Sequence, residues 1–151
     1  MRLLDTAGLS YRTASYEVDE SDLGGAHVAA VLGQPPEQVF KTLVTKAASG
    51  AYYVFDIPVA ENLDLKKAAK AVGEKSIAML PQKDLLPLTG YVHGGCSPVG
   101  MKKQFPTVLH ETAILYDTIC VSAGKVGAQV ELAPQALLDL LGASAADVTV
   151  E

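Results

Sequence analysis

The sequence predicts an α+β domain built on a mixed, curved sheet. Segments with the composition of β-strands outnumber segments with helical periodicity, and hairpin spacing dominates the connections between the strand segments. A chain of 151 residues with 49% hydrophobic content is long enough for one well-buried core and too short for two ordinary domains. We therefore expect a single domain that spans residues 1–151.

The N-terminal segment is predicted to alternate helices with one strand. Residues 2–7 have the pattern of the last turns of a short helix that ends at Gly8, and residues 11–16 alternate enough to form a first strand. Residues 24–32 are predicted to be helical, with Gly33 at the C-terminal stop.

A β-hairpin is predicted next. Residues 39–46 and 52–59 are rich in β-branched and aromatic side chains, and the short link at residues 47–51 suits a hairpin turn. Lys41 falls within the first of these strands, where an inward charge is costly unless it faces a cavity or an anion. From the residues alone, a lysine on the solvent face of the strand is the favoured interpretation.

A lysine-bearing helix follows the hairpin at residues 64–72. The negative charge of Asp64 at the N-terminus of this helix interacts favourably with the helix dipole, and Gly73 follows the last helical residue. A short strand at residues 76–79 and one or two helical turns at residues 81–86 then lead into a glycine-rich stretch.

The C-terminal third is predicted to be mostly short strands. The predicted elements are strands at residues 107–110, 118–122 and 128–132, a helix at residues 134–141, and a last edge strand at residues 146–150. Pro134 occupies the favoured first-turn position of this helix, and Gly142 is its stop.

The stretch from residue 89 to residue 103 is the strongest functional signal in the chain. It carries four glycines among fifteen residues and ends in Lys102 and Lys103. Glycines suit a backbone that takes positive φ or allows close approach, and successive free backbone N–H groups can bind an oxyanion or a phosphate. The spacing is neither that of a P-loop nor that of a dinucleotide fingerprint. The pattern predicts an anion site, with a structural multi-turn connection as the alternative.

The chain resembles the YbaK family of free-standing aminoacyl-tRNA deacylases, which is related to the editing domain inserted in bacterial prolyl-tRNA synthetases. The resemblance rests on motifs in family order and spacing: the stretch at residues 89–103, Val-Phe-Lys-Thr-Leu-Val at 39–44, Asn-Leu-Asp-Leu-Lys-Lys-Ala-Ala-Lys at 62–70, Ser-Ala-Gly-Lys-Val-Gly at 122–127 and Val-Glu-Leu at 130–132. Within the family it looks most like the Cys-tRNA(Pro) deacylases. The resemblance implies a partly closed β-barrel-like sheet with packed helices.

The resemblance also implies a set of site residues. Lys41 would hold the terminal adenosine or its phosphate, and Tyr16 would line the pocket. The residues that would hold the developing oxyanion are Gly94, Gly95, Cys96 and Ser97. Further substrate-binding positions are Pro98, Gly100, Lys102 and Gln129. Related deacylases often carry Asp where this chain has Gln129, which cannot act as a base.

Two other chemistries are possible from the residue types. Cys96, with His93 or His110 as a base, could form a covalent system, although the resemblance makes Cys96 a small wall residue of the pocket. Ser97 has no obvious base and is expected to be a packed turn hydroxyl. His93-x-x-Cys96 is one pair without a second, so we expect no metal and no cofactor.

Composition restricts the class of partner and the compartment. The net charge of −5 argues against a protein that coats nucleic acid over a wide face, although clustered lysines allow a local contact with a tRNA acceptor end. No apolar run approaches the ~18 residues that a membrane span needs. We expect a cytoplasmic protein with two reduced thiols.

The predicted function is the hydrolysis of mischarged tRNA, with Cys-tRNA(Pro) as the expected substrate. The resemblance implies that the thiol of the attached cysteine attacks its own carbonyl. The alternatives are a deacylase for another amino acid, such as alanine, and a non-catalytic module that binds aminoacyl-tRNA or a synthetase. Prolyl-tRNA synthetase is a candidate partner.

Overall fold

The computed structural model describes residues 11–15, 36–91, 96–99, 101–102, 105–124 and 128–150. The strands are β1 (Tyr11–Ser15), β2 (Phe40–Ala47), β3 (Tyr52–Pro58), β4 (Ile77–Met79), β5 (Thr107–His110), β6 (Ile119–Ser122), β7 (Ala128–Leu132) and β8 (Ser144–Ala146). The α-helices are α1 (Leu65–Val72), α2 (Gln82–Thr89) and α3 (Pro134–Leu141), and short 3-10 turns lie at Pro36–Gln38 and Glu111–Leu115.

The strands form two sheets. The larger sheet has the order β4-β2-β3-β5-β8, in which β3, β5 and β8 run parallel and the remaining pairs are antiparallel. The smaller sheet, β1-β7-β6, is antiparallel throughout. A parallel bridge between Val39 and Cys120 joins the start of β2 to β6. The predicted α+β fold with a mixed, partly closed sheet is confirmed.

The two faces of the larger sheet pack against different partners. On one face, Phe55 and Ile57 of β3 are fully buried against Ala68 and Ala69 of α1. On the other face, Val54 packs in a cluster that includes side chains of the glycine-rich stretch. Because a strand presents alternate residues to opposite faces, neighbours in β2 and β3 belong to different cores.

Helix α1 has the capping that its sequence predicts. The Asp64 carboxylate accepts hydrogen bonds from the backbone N–H groups of Lys66 at 2.9 Å and Lys67 at 3.0 Å. Gly73 ends the helix with φ of +74°, a conformation that favours glycine. These two caps fix where the lysine-bearing helix starts and stops.

The predicted last strand at residues 146–150 is wrong. The strand is Ser144–Ala146, which pairs in parallel with β5, and the segment after it leaves the sheet. Thr149 makes an isolated bridge to Leu63, and the N–H of Asp64 donates to the carbonyl of Val148. The apolar alternation that suggested a strand instead reflects the packing of Val148 against the start of α1.

Other predicted boundaries differ by a few residues. Helix α2 runs to Thr89, three residues further than predicted, and contains Pro87. The hairpin, the strands β4 to β7 and helix α3 fall where the sequence predicts them, within two residues at each end. The predicted helices at residues 2–7 and 24–32 lie outside the described residues. Within the described part of the chain, no helix has the length and apolar content that crossing a bilayer requires.

Candidate functional site

Strand β2 sets the direction of the Lys41 side chain. Lys41 pairs with Ile57 across the antiparallel ladder, so it shares the face that α1 covers, whereas Thr42 pairs with Asp56 on the opposite face. Lys41 is half-buried. Burial lowers the pKa of its ammonium group, and the negative charge of Glu61 acts in the opposite direction. The lysine therefore lies neither in the apolar core nor freely in solvent.

The register also places Lys41 on the same side as Gln129. Val39 and Cys120 form a parallel bridge, and Lys41 on β2 and Ser122 on β6 each lie two residues beyond it. Ser122 in turn pairs with Gln129 on β7. The intervening residues of all three strands, Phe40, Val121 and Val130, are buried together in the core on the other face. Lys41, Ser122 and Gln129 thus occupy corresponding positions on one face.

Gln129 has a buried acceptor on this face. Its side chain is 6% exposed. Its Oε1 atom has no hydrogen-bond partner among the described residues. Buried polar atoms in native proteins are nearly always satisfied, so an unsatisfied one in a candidate pocket is a ligand-binding signal.

Residues near the two ends of the glycine-rich stretch are hydrogen-bonded to each other. The N–H of Lys102 donates to the carbonyl of Thr89 at 2.9 Å, and the Lys102 stem packs against Gly90. The Tyr91 hydroxyl donates to the Val99 carbonyl across the loop. Within the described residues, the loop is therefore anchored at its base and across its middle.

Tyr91 also connects this loop to the turn after β6. A Cβ built on Gly124 would lie 2.9 Å from Tyr91 Cε1, so the tyrosine ring packs directly on the glycine backbone. Gly124 has φ of +103° and donates its N–H to Ser122 Oγ at 3.2 Å. Two motifs that are distant in sequence, residues 89–103 and 122–127, meet at this contact.

The segment Cys96 to Val99 is a buried turn. The Ser97 hydroxyl oxygen accepts a hydrogen bond from the N–H of Val99 at 3.2 Å, and Ser97 is fully buried. Pro98 is buried beside it. The hydroxyl has the turn role that its sequence context favours. Ser97 is therefore not presented as an exposed nucleophile.

The Cys96 thiol is also poorly suited to attack. It packs in an apolar cluster with Val44, Val54 and Phe105. Burial, with a further contribution from the charge of Asp56, raises the pKa of the thiol to about 12. Reactive cysteines lie in electropositive, partly exposed surroundings and have lowered pKa values, which is the opposite of this environment.

Asp56 is the buried ionisable group that the sequence interpretation missed. It is fully buried in the middle of β3 and accepts a hydrogen bond from the Thr42 hydroxyl. The sequence did indicate an unusual buried acid, because a single Asp interrupts the apolar run Tyr-Val-Phe-Asp-Ile-Pro at residues 53–58. Charged residues are almost never fully buried without a specific reason.

The predicted site residues that the structure describes fall into three groups. Lys41 and Gln129 lie on one face of the joined strands, and Cys96, Ser97 and Pro98 form the buried turn on the other side of β2. Lys102 is exposed at the base of the loop. Four predicted residues, Tyr16, Gly94, Gly95 and Gly100, lie outside the described residues.

A cavity also lies at the turn end of the β2–β3 hairpin. This cavity of about 420 Å³ opens between α2 and the ends of β2 and β3, and it is lined in part by Lys46, Tyr52 and Asp84. Tyr52 contacts Phe105, which connects this cavity to the apolar cluster around Cys96. Among the described residues, no group of three or more His, Cys, Asp or Glu side chains could hold a metal ion.

Comparison with known proteins identifies the family of this chain. The family model for the aminoacyl-tRNA editing domain matches residues 25–140. The chain belongs to the aminoacyl-tRNA editing domain family. It is also 46% identical, over all 151 residues and 92% of the relative's length, to EbsC of Enterococcus faecalis, a protein named as a candidate Cys-tRNA(Pro)/Cys-tRNA(Cys) deacylase.

Solved structures support the same fold. A candidate trans-editing enzyme for prolyl-tRNA synthetase is 29% identical with a TM-score of 0.83, and the match covers 99% of this chain and 94% of that one. The hypothetical protein APE2540 matches with a TM-score of 0.89 at 24% identity, over 99% of this chain and 97% of that chain. This editing-domain chain therefore shares the whole fold, and not only a local motif, with its structural relatives.

Proposed function

We propose that this editing-domain chain is a trans-editing deacylase that cleaves the aminoacyl ester of mischarged tRNA, and that Cys-tRNA(Pro) is its main substrate. The observation that carries the proposal is the full-length relationship to EbsC, whose name specifies cysteinyl esters. The acceptor end of aminoacyl-tRNA is then the macromolecular substrate. We further propose that the enzyme acts in the cytoplasm and that prolyl-tRNA synthetase is the partner to test first.

The chemistry of the site supports attack by the substrate. An aminoacyl ester is already activated, so its cleavage needs chiefly a positioned nucleophile and a stabilised oxyanion. The Cys96 thiol has a pKa of about 12, and the Ser97 hydroxyl is bound in a turn. Neither described side chain is poised to attack, whereas a cysteinyl ester carries its own thiol.

In the proposed reaction, the substrate sulfur forms a bond to its own carbonyl carbon and the ester bond to the tRNA 3′ oxygen breaks. The thiol proton ends on the released 3′ hydroxyl, and the product is a cyclic thioester that water later opens. Backbone N–H groups of the loop, including those of Cys96 and Ser97, would hold the developing oxyanion. Gly94 and Gly95 are proposed to contribute in the same way.

Lys41 and Gln129 would bind the rest of the substrate. Lys41 keeps an ammonium group half-buried, which suits a phosphate or the terminal adenosine. Gln129 Oε1, buried and without a partner among the described residues, could accept a hydrogen bond from a donor on the nucleotide end of the substrate, on the face where Lys41 lies. Tyr16, Pro98, Gly100 and Lys102 remain proposed substrate-binding positions.

Turnover measurements on three substrates test this proposal. The purified protein is incubated with Cys-tRNA(Pro), Ala-tRNA(Pro) and correctly charged Pro-tRNA(Pro), and the loss of ester is followed against the spontaneous rate. We expect rapid loss of the cysteinyl ester and slow loss of the prolyl ester. Preferred loss of the alanyl ester would reassign the substrate. Loss of none above the spontaneous rate would instead indicate a binding module.

A further inference from the structure

Asp56 is a fully buried carboxyl group with no assigned role in the proposed reaction. The Thr42 hydroxyl donates a hydrogen bond to its Oδ1 atom, directly across the β2–β3 ladder. Its Oδ2 atom is buried and has no hydrogen-bond partner among the described residues. A buried carboxylate that is satisfied at one oxygen is expensive to keep ionised.

This carboxyl group lies behind the loop rather than on the side of Lys41. Alternation along β3 puts Asp56 on the same face as Val54, which packs against Cys96. The charge of Asp56 raises the pKa of the Cys96 thiol, so the two groups are close enough to interact electrostatically. Tyr91, whose pKa is raised mainly by burial and in part by the charge of Cys96, is a further titratable group packed against the same cluster.

The environment makes both protonation states of Asp56 accessible. Burial raises the pKa of its carboxyl to about 7, and the hydrogen bond from Thr42 opposes part of this rise by favouring the ionised form. The carboxyl therefore changes charge near neutral pH. Its negative form would lie beneath the turn whose backbone amides are proposed to receive an oxyanion.

We propose that Asp56 is a positioning residue for deacylation, which supports the turn from Cys96 to Val99 in its neutral form and impairs it when its buried carboxyl is ionised. The physical reason is that a buried negative charge behind the Cys96 and Ser97 amides opposes the charge that develops on the substrate carbonyl oxygen. Asp56 touches no reacting atom. This inference rests on the proposed deacylase function.

The test compares kcat for the unmodified protein and Asp56→Asn on Cys-tRNA(Pro) from pH 6 to pH 9. Asparagine is nearly isosteric with aspartate and stays neutral. Spontaneous ester loss is subtracted from both rates. The titration of the substrate thiol affects both proteins equally, so it cancels in the ratio of the two kcat values. We expect a ratio of about one at pH 6 and an advantage for Asp56→Asn that grows towards ~tenfold per pH unit above pH 7, with similar KM values.

Thr42→Val provides a second variant and covers the case in which Asp56→Asn does not fold. Valine keeps the branched shape of threonine but removes the hydroxyl that favours the ionised carboxyl. When kcat is corrected for the titration of the substrate thiol, it should fall about a midpoint set by the ionisation of Asp56, and that midpoint should move upward in Thr42→Val. A loss of rate from structural damage would lower kcat at every pH without moving that midpoint.

The outcomes separate this inference from the proposed function. A ratio that stays constant from pH 6 to pH 9, or a midpoint that Thr42→Val leaves in place or lowers, would overturn the role of Asp56 while leaving deacylation intact. Absence of turnover by the unmodified protein at every pH would overturn the proposed function, and the inference with it.

Discussion

Replacement of Cys96 by alanine distinguishes a nucleophile in the protein from one in the substrate. The thiol has a pKa of about 12 in place of 9.0, so near neutral pH it is about a thousandfold less ionised than an ordinary cysteine. A covalent mechanism through Cys96 would have to overcome that deficit. We therefore expect Cys96→Ala to keep most of its deacylase activity.

The structural cost of the substitution should be small. Cys96 is 8% exposed and packs against Val44, Val54 and Met101, so removing its sulfur leaves a modest cavity that costs ~1 kcal/mol. Cys120, the second buried thiol, has a pKa raised to about 11 and lies in a different cluster, so Cys120→Ala is the matched control. Both variants should retain a cooperative thermal transition.

The assay measures ester loss from Cys-tRNA(Pro) and from Ser-tRNA(Pro) for the unmodified protein and both variants. The seryl ester is nearly isosteric with the cysteinyl ester, but its hydroxyl is far less ionised than a thiol near neutral pH. We expect the unmodified protein to cleave the seryl ester slowly. A Cys96→Ala protein that folds, binds tRNA and has lost all turnover would refute the reasoning and would make Cys96 the centre of a covalent mechanism.

Three further predictions follow from the described contacts. Lys41→Ala should lower deacylation and reduce the log-log salt slope by ~0.7 if its partner is a phosphate of single-stranded RNA. Lys46→Ala, on the opposite face of β2, should do neither, and equal effects of both variants would discard the assignment. Gly124→Ala should slow deacylation and destabilise the fold by ~1–3 kcal/mol, because its φ is +103° and its Cβ would displace Tyr91. Gly50→Ala, with φ of +92° and open space, measures backbone strain alone, so equal losses of activity would argue against the Tyr91 contact. His110 accepts the N–H of Val148 at Nδ1, and burial lowers its pKa from 6.5. Its neutral form is favoured on folding, so its contribution to stability is full above pH 6.5 and is lost as the pH falls towards the lowered pKa. The stability difference between the unmodified protein and His110→Gln, from urea unfolding, should grow between pH 5 and pH 7.5, and a constant difference would contradict this account.

The local pattern of the sequence predicted most of the strands, because β-branched runs and glycine stops are local signals. The hairpin of β2 and β3 and the caps of α1 at Asp64 and Gly73 are examples. The last strand was misplaced since its alternation arises from packing against α1, and that contact involves residues about 80 positions apart. Alternation of apolar residues alone cannot distinguish a segment that packs against a helix from a strand of the sheet.

The site could be predicted only in part for the same reason. The pattern of residues 89–103 predicted a functional loop. The family motif made Lys41 a substrate-binding candidate, whereas the residues alone favoured a lysine that faces solvent. No local pattern indicates that Tyr91 packs on Gly124, because that contact depends on how two distant turns are brought together. Asp56 carried a local signal, a charge within an apolar strand, but its meaning depends on Thr42 and Cys96, which other segments supply.

Strand β2 connects the two halves of the site through its register. Lys41 and Thr42 are neighbours in sequence and point to opposite faces, one towards the side of Gln129 and the other towards Asp56 beneath the loop. A slip of one residue against β3 would exchange them, because the side-chain period of a strand is two. It would bury an ammonium group beside the apolar cluster of Cys96 and would separate Asp56 from its hydrogen-bond donor. The Thr42–Asp56 hydrogen bond would be lost in that register, so an acid that is costly to bury helps to keep Lys41 on the face where we propose that it binds the substrate.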